Sequence, residues 1–545
     1  MRLKCKRILV LLLTLTTFLS VLPFSVGSAV FSDVPRSAWY YNDVTSLSSK
    51  GIVGGTGNGK FSPSSYLSRA DITAILARIA LSESDLGQYA GYTNFSDVGK
   101  NAWYTKYINW AYSIGIVSGY SGGVFKPNKN VTRQELAHMV TNFCNSMWYK
   151  MSSNKSAENF KDKGSIASWA SASVTACQKA GVIEGNGGYF YPGRNAKRSE
   201  AAAMINRLIS GGYTKSSSYT LTRKKVWGYS ADWVEFSVSD YSPGLVMANN
   251  ALKGAESASS MIQRTGAKIA VNAAYFNMST YVPYATIING GQVLKTDDAY
   301  APHRPSFTIS DYGDCSIENF KVMRVPVLHK GDGSTITLNT NTTTNVSPNS
   351  AKDSSRIIFT RAWGSSVGIY VKDAIAVGKD GYIVQKAQDA NNINIPEGGY
   401  VLYQRARREY EGEFFNSCAV GDYIYMDTVY QGARTGTISA SIGVGPRVVK
   451  DGQAYGDKST YNKEGFFASD ITSGTARRVG IGVKSNGNVV ILTAYCTVAQ
   501  LGKIMQSVGC KDAINLDGGG STTIYLDGKW LRKPDRSLSS MIYFK

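Results

Sequence analysis

The chain has few of the residues from which metal and redox sites are built. Its 545 residues include three histidines and seven cysteines, and no two cysteines have the Cys-x-x-Cys spacing. A zinc site of the Cys/His type is therefore not expected. Six cysteines remain after Cys5, and so few over so long a chain do not make a disulfide scaffold.

Acidic residues are also scarce relative to basic ones. Asp and Glu number 39 against 59 Lys and Arg, which gives a formal net charge of +20. A basic exported protein usually faces a polyanion, and nucleic acid and an anionic cell-wall polymer are the two candidates. No nucleic-acid-binding motif occurs in the sequence, and its lack favours the wall polymer.

Export is predicted from the start of the chain. Four cationic residues precede an apolar run from Ile8 to Val21, and small residues follow at Gly27-Ser28-Ala29. This pattern predicts a signal peptide over residues 1–29. The run is shorter than the ~20 residues of a spanning helix, and an uncleaved anchor is the alternative. We expect a secreted protein with no transmembrane helix after processing.

Residues 31–210 contain three copies of one pattern. Each copy begins with Phe-Ser-Asp-Val or a looser form of it, and a tryptophan and an amphipathic helix follow. The helix ends in a glycine turn, and a second helix then opens with an arginine. These arginines, Arg69, Arg133 and Arg198, are spaced by 64 and 65 residues.

The start of each second helix has a capping pattern. Ser68 and Thr132 precede the first two arginines, and an acidic residue three positions on completes a capping box. The third copy has Lys197 instead, so its cap is predicted to be weaker. Arginine in the first turn opposes the helix macrodipole, and its repetition indicates that each arginine binds an external anion. The alternative is a hydrogen bond from each arginine to a neighbouring repeat.

The three copies resemble S-layer homology modules, including that family's Thr-Arg-Ala-Glu signature. The resemblance implies an all-α, trimer-like unit with pseudo-threefold arrangement that binds a pyruvylated secondary cell-wall polymer. An Arg–carboxylate contact can be bidentate, which suits pyruvate ketals. The implied polymer-binding residues are Arg69, Arg133 and Arg198, with turn glycines at Gly54, Gly119 and Gly185.

A glycine-rich segment near the C-terminus carries the strongest chemical pattern. Residues 513–523 read Ala-Ile-Asn-Leu-Asp-Gly-Gly-Gly-Ser-Thr-Thr. Successive glycines cost conformational entropy, so a fold keeps them where the backbone turns sharply or approaches a ligand. Their N–H groups, beside the hydroxyls of Ser521 and Thr522, can bind phosphate or sugar oxygens. Asp517 can act as acid, base, nucleophile or metal ligand. The alternative is a glycine-rich hairpin with a solvated Asp517. No Gly-Lys-Ser/Thr follows, so this is not a nucleotide-binding P-loop.

From about Tyr219 onwards, short β-rich segments alternate with Gly and Asp turns. Many strands with few helices predict an α+β domain with a mixed β-sheet. The predicted strands are 234–238, 268–271, 357–360, 489–492 and 513–516, and the predicted helices are 254–264 and 498–508.

Polar clusters follow these strands in an order that resembles the phosphodiester glycosidase (uncovering-enzyme) family. The clusters begin at Asn272, Gly443, Arg478 and Asn515, and the resemblance covers roughly residues 220–545. The chain departs from the family at Ala273, Ala274 and Val479, and it lacks a longer loop after Thr493. The resemblance implies Asp517, Arg478 and Asn272 as catalytic residues, with Gly518, Gly519, Gly520, Ser521, Thr522 and Asn515 binding substrate or phosphate. Arg304, in a polar cluster that precedes a strand, is a further candidate for binding substrate or phosphate.

The chemistry of such a substrate fits these residue types. Arg478 and the glycine N–H groups can bind the single negative charge of a sugar-1-phosphodiester. Phosphate leaves with little protonation, so charge stabilisation matters more than a strong general acid. Asp517 is then the base, the nucleophile or the oxocarbenium stabiliser, with Glu256 or Glu464 as partner carboxylate. A divalent cation at Asp517 has no supporting ligand cluster, so no cofactor is assigned.

The predicted organisation is a signal peptide, three modules over 30–90, 91–154 and 155–210, a linker over 211–218, and a glycosidase-like domain over 219–545. Two functions remain open. One is a wall-anchored hydrolase that cleaves a sugar-1-phosphodiester to free sugar and a phosphomonoester. The other is a non-enzymatic, polysaccharide-binding surface-layer protein.

Overall fold

The structure, a computed structural model, describes residues 31–216, 218–297, 304–338, 342–346, 356–404, 412–432 and 437–545. The predicted signal peptide lies outside the described residues. These residues form two compact units, 31–82 with 93–143 and 151–214, and 83–92 with 144–150 and the chain from 215 onwards. No helix in the described ranges combines the length and the apolar character needed to cross a membrane.

Helices dominate residues 31–214, where only two short strands occur in the described chain. The elements are α1 (Tyr41–Ser49), α2 (Arg69–Ala80), α3 (Glu83–Gly87), α4 (Thr105–Ser113), α5 (Arg133–Ser146), β1 (Lys150–Met151), α6 (Ser168–Lys179), α7 (Arg198–Arg207) and β2 (Tyr213–Thr214).

The predicted caps of the second helices are confirmed. The Ser68 hydroxyl accepts the Asp71 N–H at the start of α2, and the Asp71 carboxylate accepts the Ser68 N–H. Thr132 and Glu135 form the same reciprocal pair at α5. The Lys197 side chain makes no cap hydrogen bond at α7, so the helix cap of the third copy is the weakest of the three, as predicted.

The predicted all-α fold class of the repeats is wrong. β1 and β2 form a two-stranded sheet, and extended residues before each second helix form isolated bridges with another repeat. These bridges join Ser68 to Asn130, Thr132 to Asn195, and Tyr66 to Lys197. Hydrophobic periodicity indicates the helices, whereas extended segments of one or two residues have no period to read.

The remaining chain is built mainly from strands. They are β3 (Thr220–Val226), β4 (Tyr229–Phe236), β5 (Pro243–Met247), β6 (Ile269–Asn272), β7 (Ile287–Asn289), β8 (Gln292–Lys295), β9 (Pro305–Ser310), β10 (Cys315–Asn319), β11 (Lys321–His329), β12 (Thr335–Thr337), β13 (Thr343–Thr344), β14 (Arg356–Thr360), β15 (Val371–Val377), β16 (Ile383–Ala390), β17 (Tyr400–Gln404), β18 (Tyr423–Gln431), β19 (Ile438–Gly443), β20 (Arg447–Lys450), β21 (Gln453–Ala454), β22 (Ala476–Val483), β23 (Val489–Cys496), β24 (Asp512–Asn515), β25 (Ile524–Leu526), β26 (Lys529–Arg532) and β27 (Ser540–Phe544). The helices are α8 (Ala258–Thr265), α9 (Gly412–Ser417), α10 (Lys458–Lys463), α11 (Ser469–Thr472) and α12 (Val498–Ser507).

The α+β part of the predicted fold class also needs correction, because strands outweigh helices throughout this unit. Its described sheets pair antiparallel, except that β13 and β14 run parallel. Each predicted strand and both predicted helices are nevertheless present. The sequence pattern identified buried strands correctly, but it overlooked many short strands whose apolar residues are few.

Two sheets position the glycine-rich segment. One has the order β21-β20-β24-β22-β23-β4-β3 and the other the order β26-β25-β6-β27-β5. Both contribute side chains to one hydrophobic core, which includes Val271, Ile514, Leu516 and Ile524. Residues 516–523 connect β24 to β25, so the glycines lie where the chain passes from one sheet to the other.

An insertion separates β10 from β19, which are both in a third sheet of order β10-β9-β19-β7-β8. The insertion forms a three-stranded sheet, β12-β11-β18, and a five-stranded sheet, β13-β14-β17-β15-β16. It has hydrophobic clusters of its own, one of which includes Leu328, Ile358 and Ile424. It is therefore a separately packed part of this unit.

Candidate functional site

One buried asparagine holds both ends of the glycine-rich segment. Asn272 ends β6, and its Nδ2 donates to the Asp517 carbonyl at 2.6 Å. Its Oδ1 accepts the Thr523 N–H at 2.9 Å. The Asp517 N–H in turn donates to the Ala273 carbonyl at 3.1 Å. Asn272 therefore positions the segment, and both ends of its amide are occupied in doing so.

The three glycines differ in what a side chain at each position would meet. A Cβ at Gly518 would lie 2.7 Å from the Arg477 carbonyl oxygen, and one at Gly520 would lie 2.9 Å from the Arg536 guanidinium. Gly519 has a φ of +58° but open space around its missing Cβ. A close backbone approach therefore requires glycine at 518 and a left-handed conformation favours it at 519, whereas the exposed Arg536 side chain can move to admit a Cβ at 520.

Matched alanine substitutions should separate these requirements. Gly518→Ala is expected to destabilise the protein by about 2 kcal/mol or more, because backbone must move to admit the methyl group. Gly519→Ala should cost only about 1 kcal/mol, since it adds left-handed strain without a clash. Thermal unfolding of both variants measures the difference. Equal losses would contradict the assignment of backbone contact to Gly518 alone.

Asp517 is half-buried at the end of this segment, in an environment that disfavours its charge. Burial raises the pKa of its carboxyl to about 6, and the charge of Asp470 raises it further. Hydrogen bonds from the Ser521 hydroxyl and the Gly518 N–H, and the positive charge of Arg536, act in the opposite direction. The carboxyl can therefore exchange a proton near neutral pH, as acid–base catalysis requires.

Two polar atoms beside Asp517 are buried without a hydrogen-bond partner in the described chain. They are Oδ1 of Asn515 and Oγ1 of Thr522. The Nδ2 of Asn515 donates to the Tyr275 hydroxyl at 2.5 Å. Burial and the charge of Asp517 raise the pKa of Tyr275, so its hydroxyl stays protonated. Asn515 and Thr522, both in the predicted site, thus retain capacity to bind a ligand.

The two predicted binding arginines have other partners. Arg478 is 3% exposed, and its Nη2 donates to the carbonyls of Asp470 and Gly474. Arg304 donates from Nη1 to the Tyr284 carbonyl at 2.7 Å and stacks 5.3 Å over Phe466. Both guanidinium groups hold backbone around the site, and Arg478 does so for the helix that carries Asp470.

Sequence reasoning missed two charged residues near Asp517. Arg536 is exposed and contacts the position of a Gly520 side chain, and its charge lowers the pKa of Asp517. Asp470, in α11, raises it. Neither residue belongs to a motif, and Arg536 follows the glycines by 16 residues in a turn-rich stretch, so only the folded chain shows their proximity.

The two carboxylates predicted as partners of Asp517 have pKa values shifted in opposite directions. Glu256 accepts hydrogen bonds from Arg264, Ser260 and the Asn249 N–H, which hold its pKa at about 2. It is therefore part of an ion pair at α8. Glu464 is buried and accepts the Arg447 N–H at 2.9 Å, and its burial raises its pKa to about 7. No group of three or more His, Cys, Asp or Glu suited to a metal occurs among the described residues.

The three repeat arginines donate hydrogen bonds to the backbone of another repeat. This is the alternative to anion binding that the sequence left open. In each, Nε donates to the carbonyl of the phenylalanine that follows the glycine turn: Phe125 for Arg69, Phe190 for Arg133 and Phe61 for Arg198. Nη2 donates to a turn carbonyl as well, of Ser118, Glu184 and Gly54 in the same order. Burial lowers the pKa of all three.

These bonds correct the alignment of the turn glycines by one residue. Gly54 accepts from its arginine where Ser118 and Glu184 accept from theirs. A Cβ at Gly55 would lie 2.9 Å from Phe31, just as one at Gly119 or Gly185 would meet Phe95 or Phe160. Gly55 is therefore the equivalent of Gly119 and Gly185. The adjacent Gly54-Gly55 pair hid this register in the sequence.

A cavity of about 730 Å³ lies among the repeats. It is lined by side chains of all three copies, including Trp39 of the first, Arg133 of the second, and Tyr191, Arg194 and Lys197 of the third. Two acidic residues, Glu184 and Glu200, also line it, so cations predominate. Gly185 and Arg133, both predicted to bind polymer, are thus brought to one cavity.

Comparisons with known proteins match both parts of the chain. Residues 30–73, 94–137 and 159–202 match the S-layer homology domain, and residues 372–545 match the phosphodiester glycosidase family. Arg478, Asn515 and Asp517 lie inside the second match, whereas Asn272 and Arg304 precede it.

Similar proteins share only parts of their length with this chain. An endoglucanase of Bacillus sp. (strain KSM-635) is 31% identical over 180 residues, which are 33% of this chain and 18% of the relative. S-layer protein sap of Bacillus anthracis is 27% identical over 188 residues, 34% of this chain and 22% of the relative.

One solved structure, of a hypothetical protein from Synechocystis, covers 60% of this chain and 62% of its own length. It has a TM-score of 0.51 and 20% identity, a likeness of fold alone. The family matches identify the parts of the molecule: the chain carries three S-layer homology modules followed by a phosphodiester glycosidase domain.

Proposed function

We propose that the phosphodiester glycosidase domain hydrolyses a sugar-1-phosphodiester to free sugar and a phosphomonoester. The observation that carries this proposal is Asp517, a half-buried carboxyl with a pKa of about 6 at the end of a three-glycine segment. Such a carboxyl is ionised at neutral pH but close to exchanging its proton. It is suited to act as base, nucleophile or oxocarbenium stabiliser.

The charged phosphodiester would bind beside the glycines. Arg536 provides an exposed guanidinium over Gly520, and Gly519 beside it is exposed. Hydrogen bonds to a charged phosphate contribute roughly 1.5–3 kcal/mol each. The spare acceptor and hydroxyl of Asn515 and Thr522 are suited to sugar hydroxyls. Arg478 would act through the Asp470 backbone that it holds.

Anchoring at the bacterial cell surface follows from the repeats. The relatives that share them include a surface-layer protein, and the cationic cavity fits an anionic wall polymer. We propose a pyruvylated polymer as the partner, because Arg194, Lys197 and Arg207 add positive charge to the cavity that Arg133 lines, and a pyruvate ketal carries a carboxylate. Export through the predicted signal peptide completes this proposal.

A non-enzymatic wall-binding role is the second candidate. β23 ends at Cys496 and α12 begins at Val498, so no long loop follows β23 at this position. Thr497 caps α12 directly, since its hydroxyl accepts the Gln500 N–H at 3.3 Å. The described chain therefore has no loop after β23 that could cover a bound substrate. An open surface of this kind is compatible with binding a polysaccharide without hydrolysing it.

Product identity decides between the two candidates. The secreted full-length chain should release free sugar and a phosphomonoester from defined sugar-1-phosphodiesters. The ester bond between the phosphate and the other alcohol should stay intact. Mass spectrometry of the products, with and without added calcium or magnesium, is the measurement. If no diester in the panel yields either product under any of these conditions, the hydrolase proposal falls and the binding role replaces it.

A further inference from the structure

The insertion between β10 and β19 presents an aromatic face. Its three-stranded sheet packs one side, through Leu328 and Ile424, against the core of the five-stranded sheet. An antiparallel sheet covered on one side usually carries polar residues on the other. Here the outward positions of β18 include Tyr423, Tyr425 and Val429, all exposed. Large exposed apolar side chains gathered on one face mark a binding surface.

Aromatic rings lie side by side across this sheet. Tyr423 is in register with His329 on β11 and forms a bridge with Tyr382, which precedes β16. Its ring centroid is 5.7 Å from that of His329 and 5.5 Å from that of Tyr382. Tyr425 lies two residues along β18 and points to the same side. We name the surface of Tyr382, Tyr423, Tyr425 and His329 the tyrosine face.

The central ring of this face is held in place by the backbone beneath it. Gly381 has a φ of +86°, and a Cβ there would lie 2.4 Å from a ring carbon of Tyr423. The ring therefore lies directly on the Gly381 backbone, between two aromatic neighbours. A side chain that is already ordered loses little conformational entropy when a ligand binds, so the fixed position of this ring favours binding.

We propose that the tyrosine face binds a polysaccharide chain. Each tyrosine offers an apolar ring for the C–H face of a sugar and a hydroxyl for the sugar's own hydroxyls. Thr335 and Thr337 are exposed on β12, in register with His329 and Val327, and add hydroxyls to the same side. The centre of a permanent protein interface would be more apolar than this.

The surroundings of the molecule also favour a glycan. The S-layer homology modules associate the chain with a wall polymer, and the net charge of +20 favours approach to anionic polysaccharide. The binding surface belongs to the insertion and uses no residue of the glycine-rich segment. The proposal is therefore independent of whether Asp517 performs hydrolysis.

Affinity electrophoresis of the full chain tests this proposal. The gels contain either glycol chitin or intact glycan strands released by an amidase from walls whose secondary polymer has been removed, so that the repeats have no pyruvylated ligand. The wild-type chain is expected to be retarded in at least one of these gels. Tyr423→Ala with Tyr425→Ala should raise the dissociation constant about tenfold or more, because two stacking rings are lost.

Three further variants make the outcome decisive. Tyr423→Phe with Tyr425→Phe keeps the rings and should bind within about threefold of wild type. Tyr312→Ala removes a tyrosine that is 91% exposed between β9 and β10, and should not change binding. Tyr425→Ala alone leaves the ring on Gly381 in place, so it tests the face even if the double variant fails to fold.

Several results would overturn the proposal. Equal retardation of wild type and Tyr425→Ala would do so, as would no retardation of wild type in either gel. A dimer in size-exclusion chromatography with light scattering that the tyrosine substitutions dissociate would show that a second copy of the chain covers this face instead.

Discussion

Asp517→Asn is expected to lower kcat for a sugar-1-phosphodiester by roughly 10³-fold or more while the protein stays folded. The substitution keeps the shape of the side chain and removes its charge and its ability to take a proton. The backbone groups of residue 517, which bond to Asn272 and Ala273, are unaffected. Steady-state kinetics with thermal unfolding of the same samples measures both parts of this expectation.

The pH dependence of the wild-type enzyme should identify the role of Asp517. Its carboxyl has a pKa of about 6, so the ionised fraction rises as the pH passes through that value. If the carboxylate is the base or the nucleophile, kcat should rise with pH around 6 and then level off. If the protonated form is required, kcat should fall over the same interval. A profile flat from pH 5 to 8 would exclude both.

Stability should respond to pH with the opposite sign from an ordinary ion pair. Folding raises the pKa of Asp517 from 3.8 to about 6, so the folded protein holds this proton more tightly than the unfolded chain does. The contribution of this group to stability is therefore full at low pH and is lost as the pH rises between these two values. Asp517→Asn removes that loss, so its melting midpoint at neutral pH should equal or exceed that of wild type.

A second carboxylate serves as the matched control. Asp527 lies in the turn between β25 and β26, and burial raises its pKa as well. Asp527→Asn should leave kcat within about twofold of wild type, because a surface substitution outside the site has little effect. Full activity of Asp517→Asn, or equal losses in the two variants, would contradict a role for Asp517 in bond cleavage.

The sequence was sufficient to locate the glycine-rich segment but not its support. Three successive glycines mark the segment in the sequence, because a fold keeps such a run where the backbone turns sharply or is closely approached. The Asn272 clamp, in contrast, joins residues separated by 245 positions, and only the pairing of β25 with β6 brings them together. Asp470 and Arg536 were missed for the same reason. Charges act through space, and neither residue has a neighbour in sequence that marks it.

The arginines at the start of the second helix of each repeat have two explanations, anion binding and packing between repeats. Arginine at the start of α2, α5 and α7 does oppose the helix dipole, as the sequence indicates. The structure supplies a reason within the protein, since each guanidinium satisfies carbonyls of another repeat. Nε and Nη2 take part in these bonds, while Nη1 of Arg133 lies 3.7 Å from the Glu200 carboxylate and Nη1 of Arg198 lies 3.6 Å from that of Asp71. These contacts account for the repeated position of the arginines within the three repeats by packing alone, so anion binding stays a prediction that needs its own test.

Arg69→Ala with Arg133→Ala should release most binding to purified sacculi that carry pyruvylated polymer, and should also destabilise the repeats. Each substitution leaves buried carbonyls without a donor, which costs about 1–3 kcal/mol per arginine. Loss of binding in this variant alone would therefore have two explanations. Sedimentation with sacculi and thermal unfolding must be measured on the same samples.

Two single variants separate these explanations. Trp39 lines the cationic cavity and is 64% exposed, so Trp39→Ala should weaken sedimentation with sacculi and leave the melting midpoint unchanged. Arg36 is exposed, and Arg36→Ala should change neither quantity, as the matched arginine control. If Trp39→Ala and the folded fraction of Arg69→Ala with Arg133→Ala both sediment like wild type, the arginines and the cavity have a structural role alone. Anion recognition at the cavity requires that both bind less, because a ligand held there must contact Trp39 as well as Arg133.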